Sequence, residues 1–90
     1  MFNLNDNLKN KKFLIYGYGK SGFAAHNYLK KNNKILIYDD NKKPNKFYIS
    51  LKKIKLTKFD YIVLSPGIDI NKCKLNNYLK RNRSKIITDL

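Results

Sequence analysis

A G-x-G-x-x-G motif follows the apolar run KFLIY at residues 12–16, with its glycines at Gly17, Gly19 and Gly22. In a strand–turn–helix unit the first glycine allows a tight turn, the second lets the backbone approach an anion, and the third lets the helix pack on the strand. A helix beginning near Lys20 or Ser21 directs its unpaired N–H groups and positive dipole end to the same place. The motif therefore predicts a diphosphate-binding loop, to which Ser21 adds a hydroxyl and Lys20 a charge.

Apolar runs of strand length recur along the chain: KFLIYG at 12–17, KILIYDD at 34–40, FDYIVLSPG at 59–67 and KIITDL at 85–90. They are nearly continuous, as strands buried on both faces should be. A fifth, short strand is possible at 46–50. Because these runs alternate with helical segments, we expect one α/β domain over residues 1–90. Its sheet should be Rossmann-like, open and mainly parallel, with four to five strands flanked by helices.

The predicted helices occupy three of the intervening segments. The first spans 20–33 and ends at a pair of asparagines, the second is one or two turns within 51–58, and the third spans 71–82 with Asn71 as its N-cap. Apolar residues recur at helical spacing and should face the core: Ala24, Ala25, Tyr28, Leu29, Leu51, Ile54, Leu75, Tyr78 and Leu79.

The formal charge of +14 would suit a nucleic-acid or anionic-membrane partner. The lysines are nevertheless spread along the whole chain and do not cluster on one element, and the joint abundance of Lys, Asn, Ile, Tyr and Phe is typical of an AT-rich coding sequence. We interpret the charge as a solvated surface that attracts anions over long range. We expect no nucleic-acid partner and no membrane partner.

Several functional classes lack their signature residues. No apolar run approaches the roughly 20 residues of a membrane span, and the N-terminus lacks a signal-peptide pattern, so a cytoplasmic monomer is expected. Cys73 cannot form an internal disulfide, and His26 has no catalytic partner in the sequence. There is no metal-ligand cluster and no ATP phosphate loop, so we expect no catalytic residue, metal or cofactor in this domain.

An acidic pair ends the second predicted strand. Asp39 lies 20 residues after Gly19, the spacing at which a carboxylate accepts hydrogen bonds from a ribose hydroxyl. A loop-capping role is the alternative for Asp39. The neighbouring Asp40 should point to the other face of the sheet, unless the bend that follows brings it back.

The tripeptide Ser65, Pro66 and Gly67 ends the third predicted strand. The carboxyl edge of a parallel sheet is where open α/β folds bind ligands. Ser65 could donate to a phosphate or sugar oxygen, while the Pro-Gly turn leaves the backbone accessible. An ordinary strand-to-helix turn is the alternative.

The ordered set FLIYGYGKSGFAAHNYL, ILIYDD, DYIVLSPGI and KIITDL resembles the amino-terminal domain of the Mur ligases, in particular the UDP-N-acetylmuramoyl-L-alanine:D-glutamate ligase branch. The resemblance covers Lys12 to Leu90. Its most specific part is GxGKSG followed 40 to 50 residues later by LSPGI. Either motif alone is common, and their order on successive strand ends is typical of that family.

The resemblance implies an ADP-forming ligase of three domains that acts in peptidoglycan synthesis. ATP, with magnesium, would phosphorylate the carboxylate of UDP-N-acetylmuramoyl-L-alanine, and D-glutamate would attack the acyl phosphate. The first domain would only hold the UDP group. The chain ends where the ATPase domain should begin, so we expect a domain of such a ligase or a free-standing nucleotide-binding relic, inactive alone in either case.

By resemblance, the UDP contacts fall on three segments: the glycine loop, the end of the second strand and the end of the third strand. The residues are Gly19, Lys20, Ser21, Asp39, Asp40, Asn41, Ser65, Pro66 and Gly67. The glycine motif adds Gly17 and Gly22 to the predicted site. The sequence departs from the family at Asp40 and Asn41, where some members carry a hydroxyl residue and a basic one.

Two other functions stay open from the sequence. An NAD(P)-binding domain of an oxidoreductase, or a dinucleotide sensor, would use the same glycines and Asp39. Against this function, the chain lacks the second mononucleotide-binding half, and the LSPGI segment would have no role in such a domain. A nucleic-acid-binding module would rest on the charge alone and would not need the glycines.

Overall fold

The computed structural model describes residues 9–87, which form an α/β domain around one parallel sheet. The strands are β1 (Lys12–Tyr16), β2 (Lys34–Tyr38), β3 (Tyr61–Leu64) and β4 (Ile86–Ile87), in the spatial order β2-β1-β3-β4. The helices are α1 (Lys20–Leu29), α2 (Leu51–Leu56) and α3 (Asn76–Arg81), and a single 3₁₀ turn at Arg83–Lys85 precedes β4. The predicted Rossmann-like α/β class is confirmed.

The central strand β1 divides the core into two layers, because successive side chains of a strand point to opposite faces. Leu14 and Tyr16 belong to the layer covered by α2 and α3, whereas Phe13 and Ile15 belong to the layer covered by α1. All four side chains are fully buried. The continuous apolar run of β1 thus reflects a strand covered on both sides.

The first helix is shorter than predicted and packs through a narrower stripe. Its buried residues are Gly22, Ala25 and Leu29, whereas Ala24 is exposed and Tyr28 is 64% exposed. The prediction that Ala24 and Tyr28 face the core is therefore wrong.

An asparagine stops α1, as predicted, but the helix ends at Leu29 and not at residue 33. The Asn33 side chain donates to the Leu29 carbonyl at 3.0 Å and accepts the Lys11 backbone N–H at 3.0 Å. One side chain thereby satisfies a carbonyl at the helix end and fixes the entry into β1.

The candidate strand at 46–50 forms only a single parallel bridge, between Tyr48 and Ile37 of β2. The Asn45 side chain accepts the N–H groups of Phe47 and Tyr48, which bends the backbone away from an extended pairing. The sheet of the described residues therefore has four strands. Residues 88–90 of the predicted fourth strand lie outside the described residues.

The last helix begins at Asn76, so the predicted N-cap at Asn71 is wrong. The Asp69 side chain accepts the Asn71 N–H at 2.9 Å, and the Asp69 carbonyl accepts the Lys72 and Cys73 N–H groups. These bonds make 69–75 a chain of turns, and Cys73 lies in it and not in a helix. The other inward predictions are confirmed: Leu51, Ile54, Leu75, Tyr78 and Leu79 all belong to or pack on the core.

The close approach of α1 to the end of β1 generates a stability prediction. A Cβ atom at Gly22 would overlap the carbonyl oxygen of Gly17, whereas one at Gly67 would meet nothing within 4 Å. We expect Gly22→Ala to lower the free energy of unfolding by about 1–3 kcal/mol, the usual cost of overpacking. The control Gly67→Ala should change it by less than about 0.5 kcal/mol. Urea unfolding of both variants measures the difference, and equal stabilities would contradict the packing account.

Candidate functional site

The first glycine of the loop is required by both conformation and space. Gly17 has a φ of +89°, which side-chain-bearing residues rarely adopt. A Cβ there would lie 2.8 Å from the Ile68 side chain and 2.9 Å from the Ser65 Cβ. Backbone bonds from Gly17 N to the Tyr38 carbonyl (2.8 Å) and from Ser65 N to the Tyr16 carbonyl (3.1 Å) tie three strand ends together.

Neither conformation nor space within the fold requires a glycine at the second position of the motif. Gly19 is the N-cap of α1 with a φ of −96°, and a Cβ there would meet nothing within 4 Å. No side chain caps the helix, so the N–H groups of its first turn, at Lys20, Ser21 and Gly22, have no intrahelical partner. The space in front of Gly19 is open to a ligand that accepts hydrogen bonds.

A cleft of about 390 Å³ crosses the carboxyl ends of β1, β2 and β3, next to this loop. Seven residues predicted for the site line it: Gly17, Gly19, Asp39, Asp40, Asn41, Ser65 and Gly67. The fold therefore brings the three predicted segments to one place. A Cβ at Gly67 meets nothing, as at Gly19, so two open glycines face this cleft.

Four predicted site residues do not line the cleft. Lys20 and Ser21 are exposed on the first turn of α1, at the side of the cleft, and Pro66 is exposed on its turn. Gly22 is buried beneath the loop, where its contact with Gly17 is structural. Of these four, only Lys20 and Ser21 are placed to reach a ligand lying on the helix end.

The Asp39 carboxylate holds the loop itself. One oxygen accepts the Tyr18 N–H at 3.1 Å and the other accepts the Asn41 N–H at 2.9 Å. These contacts are those of the loop-capping alternative. Each carboxylate oxygen can accept more than one hydrogen bond, so Asp39 keeps acceptor capacity towards the cleft.

Asp40 lines the same cleft as Asp39 but contacts different residues. Its carboxylate accepts the Tyr16 hydroxyl at 2.8 Å, and its carbonyl accepts the Lys74 ammonium at 3.3 Å. Burial first, and then Asp40, raise the pKa of Tyr16 well above its usual value. The same two causes raise the pKa of Tyr38 to about 12. Both phenols are therefore neutral hydrogen-bond donors near neutral pH.

Sequence reasoning missed six residues that line the cleft: Tyr16, Tyr18, Ile68, Asp69, Lys72 and Cys73. The last three lie in the turns at 69–75, most of which were predicted to be helical. Three of the six acidic residues of the chain, Asp39, Asp40 and Asp69, thus face the cleft beside Lys72. The wall formed by these residues is acidic although the chain is basic, and hydroxyl or amide donors of a ligand would fit it.

An aromatic cluster adjoins the loop on the α1 side. The Tyr18 ring contacts Phe23, His26 and Phe47 edge-on, with ring centroids 5.0–6.1 Å apart. The Tyr18 hydroxyl lies 2.9 Å from His26 Nδ1. His26, for which the sequence offered no partner, is thus a half-buried residue that helps hold Tyr18.

Within residues 9–87, no group of three or more His, Cys, Asp or Glu side chains is arranged to hold a metal ion. Over the same residues, no helix is long and apolar enough to cross a membrane.

The single histidine of the chain generates a pH prediction. Burial first, and then the positive charge of Lys30, lower the pKa of His26 below its usual 6.5. The unfolded chain therefore binds more protons than the folded one just below pH 6.5, so stability should fall as the pH decreases through this range. The melting temperature of the protein should drop as the pH is lowered below 6.5, and that of His26→Gln should drop less. Parallel pH profiles would contradict the assignment.

Comparisons of the chain with protein-family models, curated proteins and solved structures find no match.

Proposed function

We propose that this chain binds the UDP group of UDP-N-acetylmuramoyl-L-alanine as the first domain of a cytoplasmic, ATP-dependent ligase that adds D-glutamate to peptidoglycan precursors. The observation that carries the proposal is the uncapped amino end of α1 at Gly19, which opens on a cleft that also contains Asp39 and the Ser65–Gly67 turn. The proposal rests on this geometry together with the motif order of the sequence.

The diphosphate is placed at the α1 end of the cleft. There the N–H groups of the first helical turn and the positive end of the dipole favour a negative charge. Lys20 and Ser21 stand on that turn and can add a charge and a hydroxyl donor. The acidic wall of Asp39, Asp40 and Asp69 would repel phosphates, so the helix end is the favourable position within the cleft.

The nucleoside is placed at the acidic wall. Asp39 retains acceptor capacity for a ribose hydroxyl, and the Asn41 side chain can both donate to and accept from a base edge. Ser65 lines the same cleft at the end of β3, with its Cβ next to Gly17. The ends of β2 and β3 would therefore hold the nucleoside, while the end of α1 would hold the diphosphate.

A domain that holds the UDP group in this way positions the substrate and carries out no chemistry. UDP held at the sheet edge fixes the far carboxylate of the substrate, and remote binding energy is then used to align it for phosphorylation. ATP, magnesium and D-glutamate would bind to further domains of the parent ligase. The chain alone should therefore bind the nucleotide without turning it over.

A substitution at Gly19 tests the proposal. The Gly19→Val side chain would occupy the space in front of the α1 N–H groups, and its Cβ would meet nothing within 4 Å in the folded chain. We expect it to weaken UDP binding at least tenfold, about 1.4 kcal/mol or more, in a calorimetric titration.

The matched control is Ser50→Val, which alters the N-cap of α2, away from the cleft. It should lower stability and leave UDP affinity unchanged. UDP affinity that survives Gly19→Val would remove the loop from the site. A chain that binds NAD but not UDP at the same loop would instead support the dinucleotide alternative.

A further inference from the structure

A hollow of about 840 Å³ lies at the opposite edge of the sheet, where the strands begin, and within the described residues only lysine, asparagine and aspartate line it. Its charged residues are Lys11, Lys12, Lys31, Lys34, Lys58 and Asp60. Five ammonium groups against one carboxylate leave this lysine hollow with a formal charge of +4.

The fold creates this cluster from lysines that are far apart in the sequence. Lys12 and Lys34 are partners in the β1–β2 register, and the Lys34 N–H donates to the Lys11 carbonyl at 2.9 Å. On the other side, the Asp60 N–H donates to the Lys12 carbonyl at 2.8 Å, and the Asp60 carboxylate accepts the Lys12 N–H at 2.8 Å. The backbone that carries Lys11, Lys12 and Lys34 is thus fixed. Four of the five lysine side chains are exposed.

We propose that this lysine hollow binds the sugar–phosphate backbone of a nucleic acid without reading its sequence. Five lysines around a hollow are point charges that suit several phosphates, and they lack the forked geometry with which arginine grips one phosphate. The lining contains no aromatic side chain for stacking on a base among residues 9–87. The interactions that these lysines offer are therefore those that position a backbone and carry no base information.

The lining of the hollow favours this ligand over an anionic membrane. Basic faces that bind a lipid surface also present apolar side chains that enter the bilayer. The hollow is shallow and open, and no apolar residue lines it in the part of the chain that the structure describes. A purely polar, positively charged surface suits a strand of phosphates better.

The proposal is tested by fluorescence anisotropy with labelled DNA duplexes of about 20 base pairs and unrelated sequences, between roughly 50 and 200 mM salt. The triple variant Lys11→Gln, Lys34→Gln, Lys58→Gln should bind at least tenfold more weakly. The slope of log K against log salt should fall in magnitude by about 0.9 for each phosphate that the variant no longer neutralises. Circular dichroism and the melting temperature check that the variant folds.

The matched control is Lys43→Gln, Lys52→Gln, Lys80→Gln, which removes the same charge from exposed lysines outside the hollow. It should keep most of the affinity and the salt slope. Equal weakening in both triple variants would assign binding to net charge and overturn the proposal, as would a wild-type chain that does not bind either duplex.

Two further experiments distinguish nucleic-acid binding from the binding of other anions. Release of the duplex by millimolar inorganic phosphate at constant ionic strength would indicate a small-anion site and contradict the proposal. Binding to phosphatidylserine vesicles that the lysine-hollow variant loses, with duplex binding unchanged, would point to a membrane and also contradict it. UDP titration of the same variant should match the wild type, because the glycine loop is at the opposite edge of the sheet, so the two proposals fail independently.

Discussion

Helix α1 can lie against the end of β1 only because residue 22 has no side chain. Any Cβ atom there would overlap the carbonyl oxygen of Gly17, and the helix would have to move away from the sheet. This contact sets the direction of α1, and with it the position of the uncapped N–H groups at Gly19. The positive φ of Gly17 and its bond to the Tyr38 carbonyl then place those groups beside the ends of β2 and β3. The cleft depends on this one close approach.

The glycine motif predicted this arrangement well because two of its glycines meet a local steric requirement. Gly17 requires its positive φ and Gly22 requires the absence of a Cβ, whereas a Cβ at Gly19 would meet nothing within 4 Å. Periodicity also identified the strands, since β1 is covered on both faces and therefore continuously apolar. These features are encoded within a few neighbouring residues, so a sequence can reveal them.

Features that depend on distant contacts were not predictable in the same way. Tyr28 has helical spacing but is 64% exposed, and the turns at 69–75 arise from the bonds of Asp69, which compete with a helix. Asp69, which completes the acidic wall, was missed because the sheet brings its turn next to the ends of β1 and β2. The lysines illustrate the same limit, because five that are scattered along the chain meet at one sheet edge.

The two edges of the sheet therefore differ in charge. Five of the twenty Lys and Arg residues line the hollow where the strands begin, and three of the six acidic residues line the cleft where they end. Long-range steering would bring anions to the lysine edge first. A phosphorylated ligand is favoured at the other edge only by directed hydrogen bonds, at the end of α1. The proposed nucleotide site is thus defined by geometry more than by charge.

The most direct test of UDP binding at the end of α1 is an NMR titration of the ¹⁵N-labelled chain with UDP, followed through the backbone amides. We expect saturable shifts at Gly19, Lys20 and Ser21 together with shifts at Asn41 and Ser65, and none of comparable size at the lysine hollow. Shifts confined to the lysine hollow, or a response to NAD with none to UDP, would contradict the central claim that the end of α1 holds the UDP diphosphate.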